Sequence, residues 1–177
     1  MSEGAFSTRL PRKIEPAKLA QQSLTLEGYV PAEALLRVQE AVLTLSNVRC
    51  HLSFRVDEQY RRLVEGHLHA EVELRCQRCL EAVPHAQACE VKVALVRDED
   101  RAKDLPAWLD PWLVSESEAD LYEFVEDELL LNLPQIAWHE EDCIDPELYS
   151  HGDEPEEKSE EERENPFKKL EQLLNKD

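Results

Sequence analysis

The chain has 177 residues, of which 42% are hydrophobic and 33% are charged, and its formal net charge at pH 7 is −19. This length allows one domain with a substantial core. The negative charge repels phosphate backbones, so RNA contact would need a local basic cluster, whereas basic partner proteins would be attracted. With no signal-peptide pattern and no apolar run near the ~18 residues of a membrane helix, we expect a cytoplasmic protein.

The most basic segment is the beginning of the chain, which combines arginine and lysine with two prolines and shows little periodicity. We predict a basic N-terminal arm over residues 1–20, either in contact with RNA or loosely held. An alternating run over residues 24–30 predicts a first strand. Pro31 then opens a run of good helix formers, and a short helix is expected over residues 32–41.

Apolar and polar residues alternate through most of residues 43–97, which is the period of a β-strand. The alternating runs are joined by short polar turns, so we predict an antiparallel meander with one buried face. Gly66 lies inside one of these runs and predicts a bulge or bend, as a curled or barrel-like sheet would have.

The polar face of these strands carries many of the chain's basic side chains. It is either a solvated face with cross-strand ion pairs or a local surface for RNA or another anionic ligand. The candidates for RNA contact are Arg61, Arg62, Arg75 and Arg78.

After an irregular acidic connection over residues 98–116, anchored by its tryptophans, the strongest helix pattern covers residues 119–133. Leu121, Phe124, Val125 and Leu129 share one face of this helix. Pro134 ends it. We predict that this long helix covers the sheet, which makes the fold class α+β.

We predict a single α+β domain over residues 1–144. The rest of the chain forms an appendage to this domain. Residues 140–164 contain thirteen acidic residues against two basic ones, and we predict a disordered acidic linker over residues 145–164. Residues 165–177 predict a short amphipathic helix that docks in a groove of a partner or of its own domain. The predicted docking residues are Phe167, Leu170, Leu173 and Leu174.

Two cysteines two residues apart, Cys76 and Cys79, lie at a predicted turn between strands. His139 and Cys143, four residues apart, would share one face of a helical turn and complete a Cys3His set, which is common for zinc. Four protein ligands leave no open position, so such a zinc would be structural. The alternatives are a redox-active pair and cysteines that merely pack.

Sequence patterns of enzymes are missing: there is no Gly-rich phosphate loop, no GxSxG and no HExxH. We therefore predict that the protein is not an enzyme. No small-molecule substrate is expected.

Four segments together resemble the bacterial YceD family, the large ribosomal RNA subunit accumulation proteins: residues 74–80, 125–134, 139–143 and 165–170. The resemblance implies a non-enzymatic factor for synthesis, processing or stability of 23S ribosomal RNA (rRNA), with large-subunit rRNA precursors or ribosomal proteins as partners. It supplies no catalytic residue. The remaining alternative is a protein-interaction adaptor with a structural zinc site and no direct RNA role.

Overall fold

A hairpin of two long strands, β5 (Arg62–Arg75) and β6 (Ala82–Val96), forms the centre of the fold. The computed structural model describes residues 6–145. The hairpin strands pair in antiparallel register without interruption from Leu63 opposite Ala94 to Arg75 opposite Ala82. Strand β4 (Val48–Val56) pairs with the other side of β5, also antiparallel. The meander predicted from the alternating pattern is therefore present.

The sheet is open rather than closed into a barrel. Its order is β2-β4-β5-β6-β7, and the edge strands β2 (Thr25–Val30) and β7 (Asp110–Leu113) do not pair with each other. The short strand β3 (Thr44–Leu45) adds to β5. Strand β7 runs parallel to β6, which requires the crossover connection that precedes it. The barrel-like alternative predicted from the sequence does not occur.

Gly66 does not form a bulge. Its partners are Leu52 on β4 and Val91 on β6, and the register continues unbroken on both sides. A Cβ atom at this position would overlap the backbone carbonyl group of His51. Glycine is needed here because the neighbouring strand approaches closely, not because the strand is interrupted.

Within residues 6–145, four helices accompany the sheet: α1 (Pro16–Gln21), α2 (Leu36–Ala41), α3 (Glu99–Lys103) and α4 (Leu121–Asn132). A short 3-10 turn, Ala32–Ala34, precedes α2. The Asp120 side chain caps α4 by accepting hydrogen bonds from the backbone N–H groups of Tyr122 and Glu123.

Helix α4 buries its predicted apolar face but does not cover the sheet alone. It packs against β6 and α2, whereas α1 packs against β4 and β5. Arg37 of α2 bridges to α4 through ion pairs with Glu126 and Asp127. The cover of the sheet is therefore shared between two helices, one of which belongs to the segment that the sequence predicted as an arm.

The beginning of the described chain lies against this body. Strand β1 (Lys13–Ile14) pairs with β8 (Ala119–Asp120), immediately before α4. Leu10, Ile14 and Ala20 are buried in the main core. The Nε atom of Arg12 lies 2.7 Å from a carboxylate oxygen of Asp120, so an ion pair supports the same junction.

A second, small core lies on the other face of the sheet. Leu63 and Val64 are neighbours on β5 and point to opposite faces; Val64 joins the main core, and Leu63 packs with Ala94 and Leu109. The predicted irregular connection thus contains α3, β7 and part of this core. Trp112 on β7 stacks on Phe124 of α4 with ring centroids 4.0 Å apart.

The predicted linker over residues 145–164, except for its first residue, and the predicted helix over residues 165–177 lie outside the described residues. The same holds for the docking residues Phe167, Leu170, Leu173 and Leu174. Among residues 6–145, no helix combines the length and apolar character needed to cross a membrane.

Candidate metal centre

The turn between β5 and β6 holds Cys76 and Cys79. The N–H group of Cys76 donates to the carbonyl oxygen of Glu81 at 2.8 Å, and the N–H group of Leu80 donates to that of Cys76 at 3.0 Å. Leu80 has a positive φ of 68°, a left-handed conformation that helps the chain reverse direction. The long ladder of the hairpin thus presents both cysteines on one tight turn.

The surroundings of Cys76 favour its thiolate form. Burial opposes ionisation, but backbone N–H groups of Cys79, Arg78 and His139, together with the Cys79 side chain, hydrogen-bond to its sulfur and lower the pKa of Cys76 to about 5. A thiolate is the form that binds metal ions. The turn therefore prepares a ligand that is ionised at neutral pH.

The segment after α4 is tied to this turn by backbone contacts. The N–H group of Gln77 donates to the carbonyl oxygen of Ala137 at 2.9 Å. The guanidinium group of Arg78 donates to the carbonyl oxygens of His139 and, at 2.7 Å, Glu141. Hydrogen bonds thereby join residues that are far apart in sequence.

The imidazole ring of His139 is oriented by contacts at both nitrogens. Its Nε2 atom lies 3.1 Å from the carbonyl oxygen of Ala82. A carbonyl oxygen only accepts hydrogen bonds, so Nε2 carries the hydrogen and the lone pair of Nδ1 is available. Nδ1 lies 3.5 Å from the Sγ atom of Cys79. A second partner that fixes the tautomer in this way is typical of metal-binding histidines.

The potential ligand atoms of Cys76, Cys79, His139 and Cys143 all lie within 4.8 Å of one another and could hold a metal ion. In a tetrahedral zinc site, with Zn–S near 2.3 Å and Zn–N near 2.0 Å, neighbouring donor atoms lie roughly 3.5–3.8 Å apart. The distance between His139 and Cys79 fits this value. Three sulfur donors and one nitrogen donor also suit zinc chemically.

The other two cysteines have a different environment. Cys50 and Cys89 are buried in the main core of the sheet. Burial raises the pKa of Cys50 to about 12 and also raises that of Cys89. These two thiols pack as small apolar side chains, and their role is structural.

The four arginines proposed for RNA contact do not form one patch. Arg61 and Arg62 lie at the start of β5, and Arg75 and Arg78 lie at its end. A strand of this length spans about 40 Å at ~3.3 Å per residue. The Nε atom of Arg61 lies 2.6 Å from a carboxylate oxygen of Asp57, whereas Arg78 binds the backbone of the segment after α4.

The sequence allows two interpretations of the polar face between these ends: a solvated face with cross-strand ion pairs, and a surface for RNA or another anionic ligand. The structure shows features of both. Arg55 and Glu65 form a cross-strand ion pair at 2.8 Å. Three histidines, His51, His67 and His69, lie side by side, with the first two rings stacked at 5.1 Å. This cluster was not singled out from the sequence, because its contacts depend on the register of β4 against β5.

Comparison with known proteins gives one family. The family model described as "Large ribosomal RNA subunit accumulation protein YceD" matches residues 64–174. A Haemophilus influenzae protein with this name is 39% identical over 133 residues, which cover 74% of the present chain and 76% of the relative. No solved structure gave a significant match.

Proposed function

Because the chain belongs to the YceD family of large ribosomal RNA subunit accumulation proteins, we propose that it is a non-enzymatic accessory factor in large-subunit biogenesis. In this role it supports the synthesis, processing or stability of 23S rRNA. The observation that carries the proposal is the similarity to a relative of this name over three quarters of both chains. Such a factor works in the cytoplasm, where ribosomes are assembled.

The partners we propose are a precursor of the large-subunit rRNA or ribosomal proteins, rather than a membrane or a small-molecule substrate. Direct RNA contact would use Arg61, Arg62, Arg75 and Arg78. A basic ribosomal protein would instead be attracted to the acidic residues 140–164. In that case Phe167, Leu170, Leu173 and Leu174 would supply the specific docking contacts.

We further propose that Cys76, Cys79, His139 and Cys143 hold one structural zinc ion. Zinc would supply a fixed tetrahedral junction between the β5–β6 turn and the segment after α4. Four protein ligands leave no coordination position for a substrate or water. The geometry of the donor atoms and the oriented His139 ring support this role.

The proposal is tested in cells that lack the chain. Their ratio of 23S to 16S rRNA, measured by electrophoresis of total RNA, should fall, and expression of the wild-type chain should restore it. An unchanged ratio under conditions of rapid growth would contradict the proposal, because a factor needed for large-subunit RNA must affect its amount.

Affinity capture of the full-length chain, with and without RNase, separates the two partner types. Loss of all large-subunit components after RNase treatment indicates attachment through RNA. Ribosomal proteins that remain bound indicate a protein partner, as expected for an adaptor with no direct RNA role.

A further inference from the structure

A cavity of about 660 Å³ lies at the end of the sheet that is opposite to the candidate metal centre. It forms where the β4–β5 hairpin turn meets the end of β6 and α3. Four of its lining side chains are arginines: Arg61, Arg62, Arg97 and Arg101. Arg61 and Arg62 are distant in sequence from Arg97 and Arg101. The β5–β6 hairpin brings the two pairs together.

The side chains that line this cavity carry a net positive charge. Two aspartates, Asp98 and Asp104, also line it, and Asp98 accepts a hydrogen bond from the backbone N–H group of Arg101 as the cap of α3. Arg61 pairs with Asp57, but among residues 6–145 no carboxylate lies within ion-pair distance of the guanidinium groups of Arg62, Arg97 or Arg101. Like charges held close together repel each other, so an anionic ligand would stabilise this arrangement.

Two exposed aromatic rings lie close to Arg61: Tyr60 lines the cavity, and Trp108 lies against the Arg61 guanidinium group. Tyr60 is 90% exposed at the tip of the hairpin turn and has a positive φ of 61°, a conformation unfavourable for a bulky residue. Trp108 is 54% exposed, and Arg61 and Lys92 both lie over its ring, at 5.5 and 4.5 Å from the centroid. The small fraction of Tyr60 that is buried gives this ring little part in folding.

We propose that this cavity binds single-stranded RNA, with its arginines on phosphate groups and with bases stacked on Tyr60 and Trp108. Guanidinium groups match phosphate oxygens in a bidentate geometry. Unpaired bases stack on exposed aromatic rings, whereas the bases of a duplex are not available to them. The inference rests on the proposed function for the choice of RNA as the ligand. It adds Tyr60, Arg97, Arg101 and Trp108 as contact residues and leaves Arg75 and Arg78 outside the site.

The test measures binding of the full-length protein to a fluorescent single-stranded RNA of about 15 nucleotides and to a matched RNA duplex, by fluorescence anisotropy over a range of salt concentrations. Wild-type protein should prefer the single strand. For three to four phosphate contacts, log K should fall against log salt with a slope of roughly −2 to −3. Arg97→Ala and Arg101→Ala should each weaken binding about fivefold and make the slope less steep by roughly 0.7.

Tyr60→Gly tests the stacking contact without damage to the fold, because glycine suits the positive φ at this position. It should weaken binding to the single strand at least about fivefold. Arg49→Ala is the matched control: it removes the same charge from β4 outside the cavity and should bind like the wild type. Circular dichroism of each variant verifies that the fold is retained.

Three results would contradict the proposed RNA-binding site. These are absence of RNA binding by the wild type, equal affinity for duplex and single strand, or an effect of Arg49→Ala as large as that of Arg97→Ala. The outcome for the proposed function is separate, since it depends on the 23S rRNA ratio in cells. If the Arg97→Ala/Arg101→Ala double variant binds no RNA yet restores this ratio fully, the cavity is not the functional contact, and the role in large-subunit biogenesis still stands.

Discussion

The Nδ1 atom of His139 lies 3.5 Å from the Sγ atom of Cys79, although sixty residues separate them in the chain. The intervening residues include β6, β7 and α4. The contact therefore joins the β5–β6 turn to the segment that follows α4. Whatever stabilises it also stabilises the position of the segment after α4.

We therefore expect purified protein to contain about one zinc ion per chain. Cys79→Ser and His139→Ala should each lose the metal, because the remaining three ligands bind zinc much more weakly. The thermal unfolding midpoint should then fall by roughly 5–10 °C. Metal analysis by mass spectrometry and thermal unfolding, with and without a chelator, measure both effects. His67→Ala, which replaces an exposed histidine outside the candidate metal centre, serves as the control. A wild-type protein that stays folded and metal-free after incubation with zinc would refute the zinc site.

The second prediction concerns Asp57, which organises the β4–β5 turn. Partial burial opposes ionisation of its carboxyl group, but hydrogen bonds from Arg61 and Gln59 outweigh this effect and lower the pKa of Asp57. A group whose pKa is lower in the folded state stabilises the fold above its unfolded pKa, near 3.9, and this contribution is lost as the pH falls through the folded pKa.

Asp57→Asn should therefore be less stable than the wild type by up to about 1 kcal/mol at pH 7. The difference should shrink below about pH 4 as the wild-type carboxylate becomes protonated. Urea unfolding at a series of pH values gives both free energies. Glu58→Gln, which removes the carboxylate at the exposed neighbouring position, is the matched control. A constant difference for Asp57→Asn at all pH values would contradict the assignment.

The third prediction is that Gly66→Ala destabilises the fold by about 2 kcal/mol or more, because the added methyl group overlaps the His51 carbonyl and forces β4 and β5 apart. Glu71→Ala on the same strand, at an exposed position, should change the free energy of unfolding by less than about 0.5 kcal/mol. Denaturant unfolding of the two variants measures the contrast. A neutral effect at Gly66 would mean that the strands can separate there freely.

The fourth prediction concerns the stacked pair Trp112 and Phe124. Trp112→Ala should cost about 3 kcal/mol of unfolding free energy, since it removes a large half-buried ring and the aromatic contact that joins β7 to α4. Trp112→Phe retains a stacking ring and should lose less than half as much. Chemical unfolding followed by circular dichroism distinguishes the two, and equal losses would argue against a specific role for stacking.

The strands of the central meander could be predicted because alternation is a local property that survives in the structure. The Cys3His set could also be predicted, since residue type and spacing carry the chemistry of metal binding. Closure of the sheet could not be predicted in the same way. Whether β2 and β7 pair depends on the distance between the two edges of the sheet. No short stretch of sequence encodes this distance.

Other features depend on contacts between distant residues. The parallel pairing of β7, the shared cover by α1 and the arginine cavity each join segments tens of residues apart. The role of Ala82 in orienting His139 is a backbone contact and leaves no trace in residue type. Arg78 illustrates the same limit: its charge indicated RNA, while its position at the turn makes it a donor to the backbone of the segment after α4.

The pairing of β1 with β8 has a consequence for how the protein folds as it is synthesised. Lys13 and Ile14 leave the ribosome early, but their partners, Ala119 and Asp120, are made more than one hundred residues later. Until then Leu10 and Ile14 have no completed core to enter, and loop closure over such a distance is slow. The nascent chain therefore keeps this apolar segment exposed until β8 has been made, and exposed apolar segments of incomplete chains are targets for chaperones.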